Sequence, residues 1–407
     1  MSSLPAAGRS SVRRLRRSSA RVRVRPTGTK DRRSRSCRRP RAVQRPPASR
    51  LRGTRWRGLQ ARRSSRNAGG RRRAPGAPRP RTCRSCPNQA NQRRSRSWPR
   101  LLLFAGAAAS FWGAVFSVKR WVDHYRSDQA VDDFRVYYYT ARLGIEQGWN
   151  QIYNQDALRA LMGKHFTGQL ALIDGGHTFP NPPPLAWMIA PLTVLLFGPA
   201  YAIWSLVGLA SVVVAWAIAA PFSGLGRVAL LLTAVALWPV HYSLVFGQPT
   251  PEVIALAAAA WWFLERDRVA LAGIALALAT GLKPQDVVLV PFALLLTGRV
   301  RVFAWWAGGC VVLGLIFFAS LGVQGVVDFW NTNVVVESYP GHKIMTLASL
   351  FGPGLPAYAL EGGSAALALY GAWRHRSRLK LVIALGLLGS VMSAVHAHES
   401  DYCMVLL

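Results

Sequence analysis

Acidic residues are scarce in this chain, 17 Asp and Glu among 407 residues against 51 Lys and Arg. The scarcity is uneven. Residues 1–100 hold 33 of the basic residues and a single acid, Asp31, so nearly all of the formal charge of +34 belongs to that segment. The segment also lacks any helical or strand period. Its Arg, Ser, Pro and Gly bury too little apolar surface to offset chain entropy, which predicts a disordered basic head over 1–100. A basic arm binds polyanions by counterion release. This one has neither the interleaved aromatics nor the folded motif of a sequence reader, so nucleic acid is not expected as a partner. With Lys30 its only lysine, the head reads instead as GC-rich codons upstream of a start near Trp98 to Leu103. It is far longer than the short basic region of a secretory signal, and the apolar run after it reads as a retained span.

Cysteine is nearly as scarce. Of Cys37, Cys83, Cys86, Cys310 and Cys403, only "CRSC" at 83–86 has metal-like spacing, and nothing completes four ligands. No disulfide framework, metal site or cofactor is expected.

From residue 101 the text becomes Leu, Ala, Val, Gly and Trp in long runs. A bilayer core needs about 20 apolar residues per helix. Runs at 101–118, 183–197, 200–220, 227–246, 252–264, 269–282, 287–298, 302–321, 346–372 and 379–395 predict an all-α polytopic membrane protein of nine to eleven spans. Basic loops at 265–268, 298–301 and 374–380 belong in the cytoplasm by the positive-inside rule, leaving 119–181, 247–251, 283–286, 322–345 and 396–402 outside. Parity fails once. Two crossings within 183–220 would put Arg227 outside, so either "PNPPPLAWMIAPL" includes a re-entrant piece or one apolar run does not cross. The external segments 119–181 and 322–345 are long for plain connections. Their aromatics, among them Phe329, Trp330 and Tyr339, are expected to pack on the membrane face.

The polar motifs gather in these external stretches. In "VDDFRVYYYTARLGIEQGWNQIYN" (131–154), Phe134, Tyr138, Ala141 and Ile145 predict an amphipathic helix ending at Gly148. One of Asp132 and Asp133 would cap it; the other carboxylate needs a further reason. "FPNPPPLAWMIAPL" (179–192) starts rigid because each proline restricts itself and its predecessor, bringing His177 and Asn181 to the same rim. "FGQPTPEVIALA" (246–257) reads as a turn and a helix start with Thr250 as N-cap, Pro251 at the first position and Glu252 in the first turn. In "ATGLKPQD" (279–286), Lys283 ends a helix and either snorkels or holds a phosphate as a point charge, and Asp286 starts the next helix. "HAHESDY" (396–402) concentrates His396, His398, Glu399 and Asp401 after an apolar helix, a costly arrangement unless it faces water or a site. On a helix the two histidines would point about 200° apart, which favours hydrogen bonding over zinc.

The aspartate pair before an aromatic helix, the Pro-rich run and "GQPTPEVIALAAAAWWFLERDRVALAGIALALATGLKPQ", in this order, resemble glycosyltransferase family 87 over about 119–407. The resemblance implies a GT-C-like bundle with a large external first loop, similar to polyprenol-phosphate-mannose-dependent α-mannosyltransferases. It implies a hexosyltransferase that moves a mannose-like sugar from a polyprenyl-phosphate carrier to a lipid or glycan acceptor, with inversion. It would act among membrane lipids on the external or periplasmic side of a bacterial-type plasma (inner) membrane. The family's catalytic aspartate falls on Asp133, with Asp132 the second choice. Its Gly-Gln turn falls on Gly247–Gln248, its Lys-Pro on Lys283–Pro284, and its late polar region on His396–Asp401. Donor and phosphate binding are thus expected at Lys283, Gln248 and His177, with support from Tyr137, Asn181, His396, His398 and Asp401. Two departures stand out. The basic head is foreign to the family, and the chain stops at "YCMVLL" where members continue, which reads as a truncated C-terminus of a membrane domain 101–407. The rival class is a polyprenyl-lipid or small-molecule transporter or flippase, whose mark would be inverted repeats and charges at the bilayer midplane.

Overall fold

A first helix, α1 (Trp98–Arg126), begins inside the predicted head and runs past the predicted end of its span. The computed structural model describes residues 98–126, 132–164, 178–338, 345–352 and 354–407. The rest of the head, with Cys37, Cys83 and Cys86, lies outside the described residues, as do His177 and Tyr339. Among the described residues every regular element is a helix. α1 lies along α6 (Leu225–Ala236), with Ser110 Oγ 2.8 Å from Thr233 Oγ1.

Next comes α2 (Asp132–Gln147), ended by Gly148 at φ 104, where the sequence period placed its stop. The expected one-sided burial is not what forms. Phe134, Tyr137, Tyr138, Tyr139 and Leu143 are all buried, and Ile145, assigned to the inner face, is 55% exposed. The cause is aromatic enclosure. Phe134 meets Phe197 and Tyr201 at ring-centroid distances of 5.7 Å and Trp204 at 6.2 Å, so the front of the helix plugs the end of the bundle instead of lying on it. A short α3 (Gln155–Gly163) follows, capped by Asn154, whose side chain accepts from Ala157 N at 3.1 Å.

The proline run forms α4 (Pro183–Ile189), continued as a 3₁₀ turn over Ala190–Val194. Together they rise roughly 20 Å, short of the ~30 Å hydrocarbon core. Both flanks are tied to the same neighbourhood: Tyr153 Oη donates to Asn181 O at 2.6 Å and Tyr138 Oη to Leu195 O at 2.7 Å. The segment thus stays at the α2 end of the bundle and does not cross it. α5 (Phe197–Ala219) therefore starts at the end of the bundle where α2 sits. Arg227 then falls with the basic loops, which removes the parity conflict.

α1, α5 and α11 (Val300–Ser338) are long and apolar enough to cross a membrane, and α6 with α7 (Trp238–Phe246), bent by 54°, passes the same test as a pair. Shorter apolar helices fill the bundle: α8 (Thr250–Leu264), α9 (Val269–Leu282), α10 (Leu289–Leu296) and α13 (Leu379–Met392), with α12 (Leu355–Arg374) packed on α13. Small residues bring them close. A Cβ on Gly386 would lie 2.8 Å from Val290 Cα, the kind of contact that joins helices where lipid removes a hydrophobic drive. α11 breaks at Gly322, φ 64 and ψ −175, one residue past the predicted end of its span. It then resumes to Ser338, so the segment expected as an external connection is largely helix. The basic loops meet at the opposite end, where Arg299 Nη1 donates to Arg376 O at 3.4 Å.

Candidate active site

A cavity of about 320 Å³ opens at the α2 end of the bundle. Asp133 lines it from the first turn of α2, Tyr137 from the next turn, Asn181 from the start of the proline run, Gln248 and Lys283 from two chain turns, and His396 and His398 from the segment after α13. Seven of the ten residues expected at the site thus share one cavity. Asp401 stands behind it. Asp132 begins α2, but its side chain, like all of His177, lies outside what the structure describes.

Gln248 is fixed by its turn. α7 ends at Gly247, in the left-handed region at φ 70, where Trp204 Nε1 donates to its carbonyl at 2.8 Å and Gln248 N reaches back to Ser243 O at 2.9 Å. A Cβ on Gly247 would sit 2.6 Å from Phe134 Cβ, so glycine also lets this turn press against α2 beside Asp133. The Gln248 amide then bridges two charges. Its Nε2 donates to Asp133 Oδ2 at 2.5 Å, and its Oε1 accepts from Lys283 Nζ at 3.1 Å. An ammonium has no acceptor and a carboxylate no donor, so only this orientation of the amide satisfies both.

Lys283 departs from the expectation of a snorkelling or free phosphate-holding cation. It is 1% exposed. Its ammonium pairs with Asp401 Oδ1 and also reaches Thr250 Oγ1 at 3.1 Å and Ser400 Oγ at 3.2 Å. Three protons shared among four oxygens leave no spare donor. Thr250 departs likewise: Pro249 holds the N-cap position of α8, and the Thr250 hydroxyl serves Lys283 rather than the helix end. Asp286 sits in a 3₁₀ turn, Pro284–Asp286, rather than opening α10. Asp401 is completed by Ser400 Oγ at 3.0 Å and His398 N at 3.0 Å. Burial opposes the charge on Asp401, but Lys283 outweighs it and holds the carboxyl below its ordinary value. At Tyr137, burial first and then the Asp133 charge push the phenol well above its ordinary value, so it stays protonated.

His396 and His398 lie on non-helical chain, which removes the helical argument for separating them. Their rings meet edge to face at a centroid distance of 4.8 Å.

Among the cavity residues not expected at the site are Phe329, which the sequence placed only on the membrane face, and Asn333 and Glu337. All three fall on α11 beyond Gly322, spaced i, i+4, i+8 on one helical face. The signal was there, hidden by treating 322–345 as connection. Glu337 carries a buried oxygen, Oε2, with no hydrogen-bond partner among the described residues.

A multi-pass helical bundle with a carboxylate-bearing cavity at one end suits a membrane enzyme that works at the bilayer surface. The model of glycosyltransferase family 87 matches residues 179–396, and the chain belongs to that family. It is a membrane glycosyltransferase, with a sugar donor and an acceptor as its partners. The matched stretch takes in Asn181, Gln248, Lys283, Glu337 and His396, and begins after Asp133. No curated protein matches the chain. No solved structure matches it either.

Proposed function

We propose that this protein transfers a hexose, mannose-like, from a polyprenyl-phosphate carrier to an acceptor on the external face of a bacterial-type inner membrane, with Asp133 as general base. The observation that carries this is the bond from Gln248 Nε2 to Asp133 Oδ2, which aims a carboxylate into the cavity while leaving its other oxygen for a proton. In the reaction, the acceptor oxygen attacks the anomeric carbon as Asp133 takes its proton, and the bond from that carbon to the carrier phosphate breaks. Direct displacement inverts the centre. Lys283, saturated by its own partners, acts as a positioning residue for Gln248. His396 and His398 are then the groups on the rim best suited to meet the leaving phosphate as its charge develops.

The test is incorporation of radiolabelled mannose from polyprenyl-phosphate mannose by membranes carrying the full chain, with Asp133→Asn and Glu337→Gln at equal abundance. Loss in Asp133→Asn alone supports the reading. Loss in Glu337→Gln with activity kept in Asp133→Asn moves the base to the unpartnered carboxylate across the cavity. The flippase reading is disfavoured because Lys283, Asp401 and Asp133 gather at one end of the bundle, where a transporter would place charges at mid-depth. Carrier translocation into vesicles without any sugar incorporation would reverse that preference.

A further inference from the structure

Beside the candidate active site lies a second cavity of about 470 Å³, and its chemistry differs. Gln151, Asn154 and Gln155 line it from the chain leading into α3, and Gln324, Asp328 and Asn331 from α11 beyond the Gly322 break. Amide side chains offer donors and acceptors together, the complement of a hydroxyl group that is both. Among the described lining residues there is no Lys, Arg or His, and the one charged group, Asp328, already accepts from Gln324 Nε2 at 2.9 Å. Such a lining is poor for a phosphate and too polar for a lipid chain.

Two buried oxygens here lack a partner among the described residues, Gln155 Oε1 and Thr178 Oγ1. Gln155 is otherwise anchored, its Nε2 reaching Thr332 Oγ1 and Tyr153 O at 3.3 Å each. A buried polar atom left unpaired loses its hydration without compensation, and a bound hydroxyl would supply the missing bond. The two cavities are also adjacent. Thr178 lines both, and one stretch of α11 walls both, with Phe329 and Asn333 facing the first and Asp328 and Asn331 the second. Tyr153 stands between them, its ring 4.9 Å from that of Phe329 and its hydroxyl on Asn181 O.

We infer that this second cavity is an acceptor subsite that holds a neutral saccharide, placing one of its hydroxyls toward Asp133. The acceptor is then a glycan or glycolipid recognised through its sugar. The name "acceptor" rests on the transferase reading above; the binding of a neutral sugar does not.

The test is saturation-transfer NMR on the full chain in detergent, with methyl α-mannoside, methyl α-glucoside and methyl β-galactoside as probes and inorganic phosphate as competitor. Asn331→Leu and Gln151→Leu, both checked for native thermal unfolding, are compared with the unmodified chain and with Asp133→Asn. The expected result is binding of at least one glycoside, weakened roughly tenfold by either leucine, the scale of one or two lost hydrogen bonds, and indifferent to phosphate. No transfer to any glycoside, equal binding in the leucine variants, or displacement by phosphate overturns the inference. Glycoside binding lost only in Asp133→Asn overturns it too, by moving the sugar into the first cavity. Failure of the polyprenyl-phosphate mannose assay with glycoside binding intact would instead remove the transferase reading and leave the saccharide site standing.

Discussion

Two cavities of nearly equal volume, about 340 and 320 Å³, sit at opposite ends of the bundle, and they are built from different chemistry. The larger is lined by Val212, Ile254, Trp261 and other apolar residues, with Lys380 the one charged side chain among the described lining residues. Around that end, cations rest on indole faces: Arg266 lies 3.8 Å from the centroid of Trp262 and Lys380 4.8 Å from that of Trp261. They stay exposed, as side chains do when their task is to mark a side of the membrane. The other end holds Lys283 and Asp401 out of water and strings a carboxamide and a second carboxylate onto them. Size does not set the two ends apart. Charge retained at the expense of desolvation does.

The largest difference between the two ends is expected at Asp133. Asp133→Asn keeps the shape and the Gln248 contact but cannot take a proton, so incorporation of labelled sugar falls by a factor of about 10² or more with unchanged membrane abundance. Retained activity would mean that the two ends differ in architecture only. Lys283→Met strands a buried Asp401 and lowers stability by about 3–5 kcal/mol, read as a lower unfolding temperature in detergent, whereas adding Asp401→Leu to it restores much of the loss. The same pair gives a pH dependence. Because the folded Asp401 carboxyl titrates below its ordinary value of 3.8, its contribution is fully present above that value and is lost as pH falls through the lower, folded one. Acid unfolding profiles of the protein and of Asp401→Asn should therefore converge at low pH. Gly247→Ala places a Cβ against Phe134 at a positive φ and costs on the order of 1–2 kcal/mol, with a larger loss of activity than of stability because Gln248 moves. At the opposite end, Arg266→Ala gives up one exposed cation–π contact and shifts the unfolding temperature by the equivalent of under about 1 kcal/mol, with activity intact.

Much of this was written in the sequence because lipid and water impose plain rules. Apolar runs, a terminating glycine at 148 and a break beside residue 321 were legible, and so was the company of Asp133, Gln248, Lys283 and the histidines. What escaped was set by tertiary packing. Ile145 fits a helical period yet faces out, since the aromatics of α5 surround the front of α2 and leave its tail uncovered. Thr250 has the residue type of a cap, but the fold brings the Lys283 ammonium to 3.1 Å from its hydroxyl, which accepts from that cation instead. Lys283 itself reads as a free cation from local sequence, because its partner Asp401 is more than a hundred positions away along the chain. That the proline run does not cross was not legible either, since its tethers, Tyr138 and Tyr153, come from a separate stretch of chain.

Gln248 fixes a distance as well as a charge pattern. A carboxamide is a rigid plane of fixed width, so it acts as a gauge: the distance between a general-base candidate and a buried cation is set by one residue's covalent geometry rather than by the balance of two flexible loops. Exchanging its amide nitrogen for oxygen, Gln248→Glu, alters almost no volume, yet it would turn a link between opposite charges into a repulsion at one of its ends. A transmembrane bundle whose helices come from distant parts of the chain thereby has the spacing of Asp133 and Lys283 calibrated by a single side chain, at a turn where glycine makes room for Phe134.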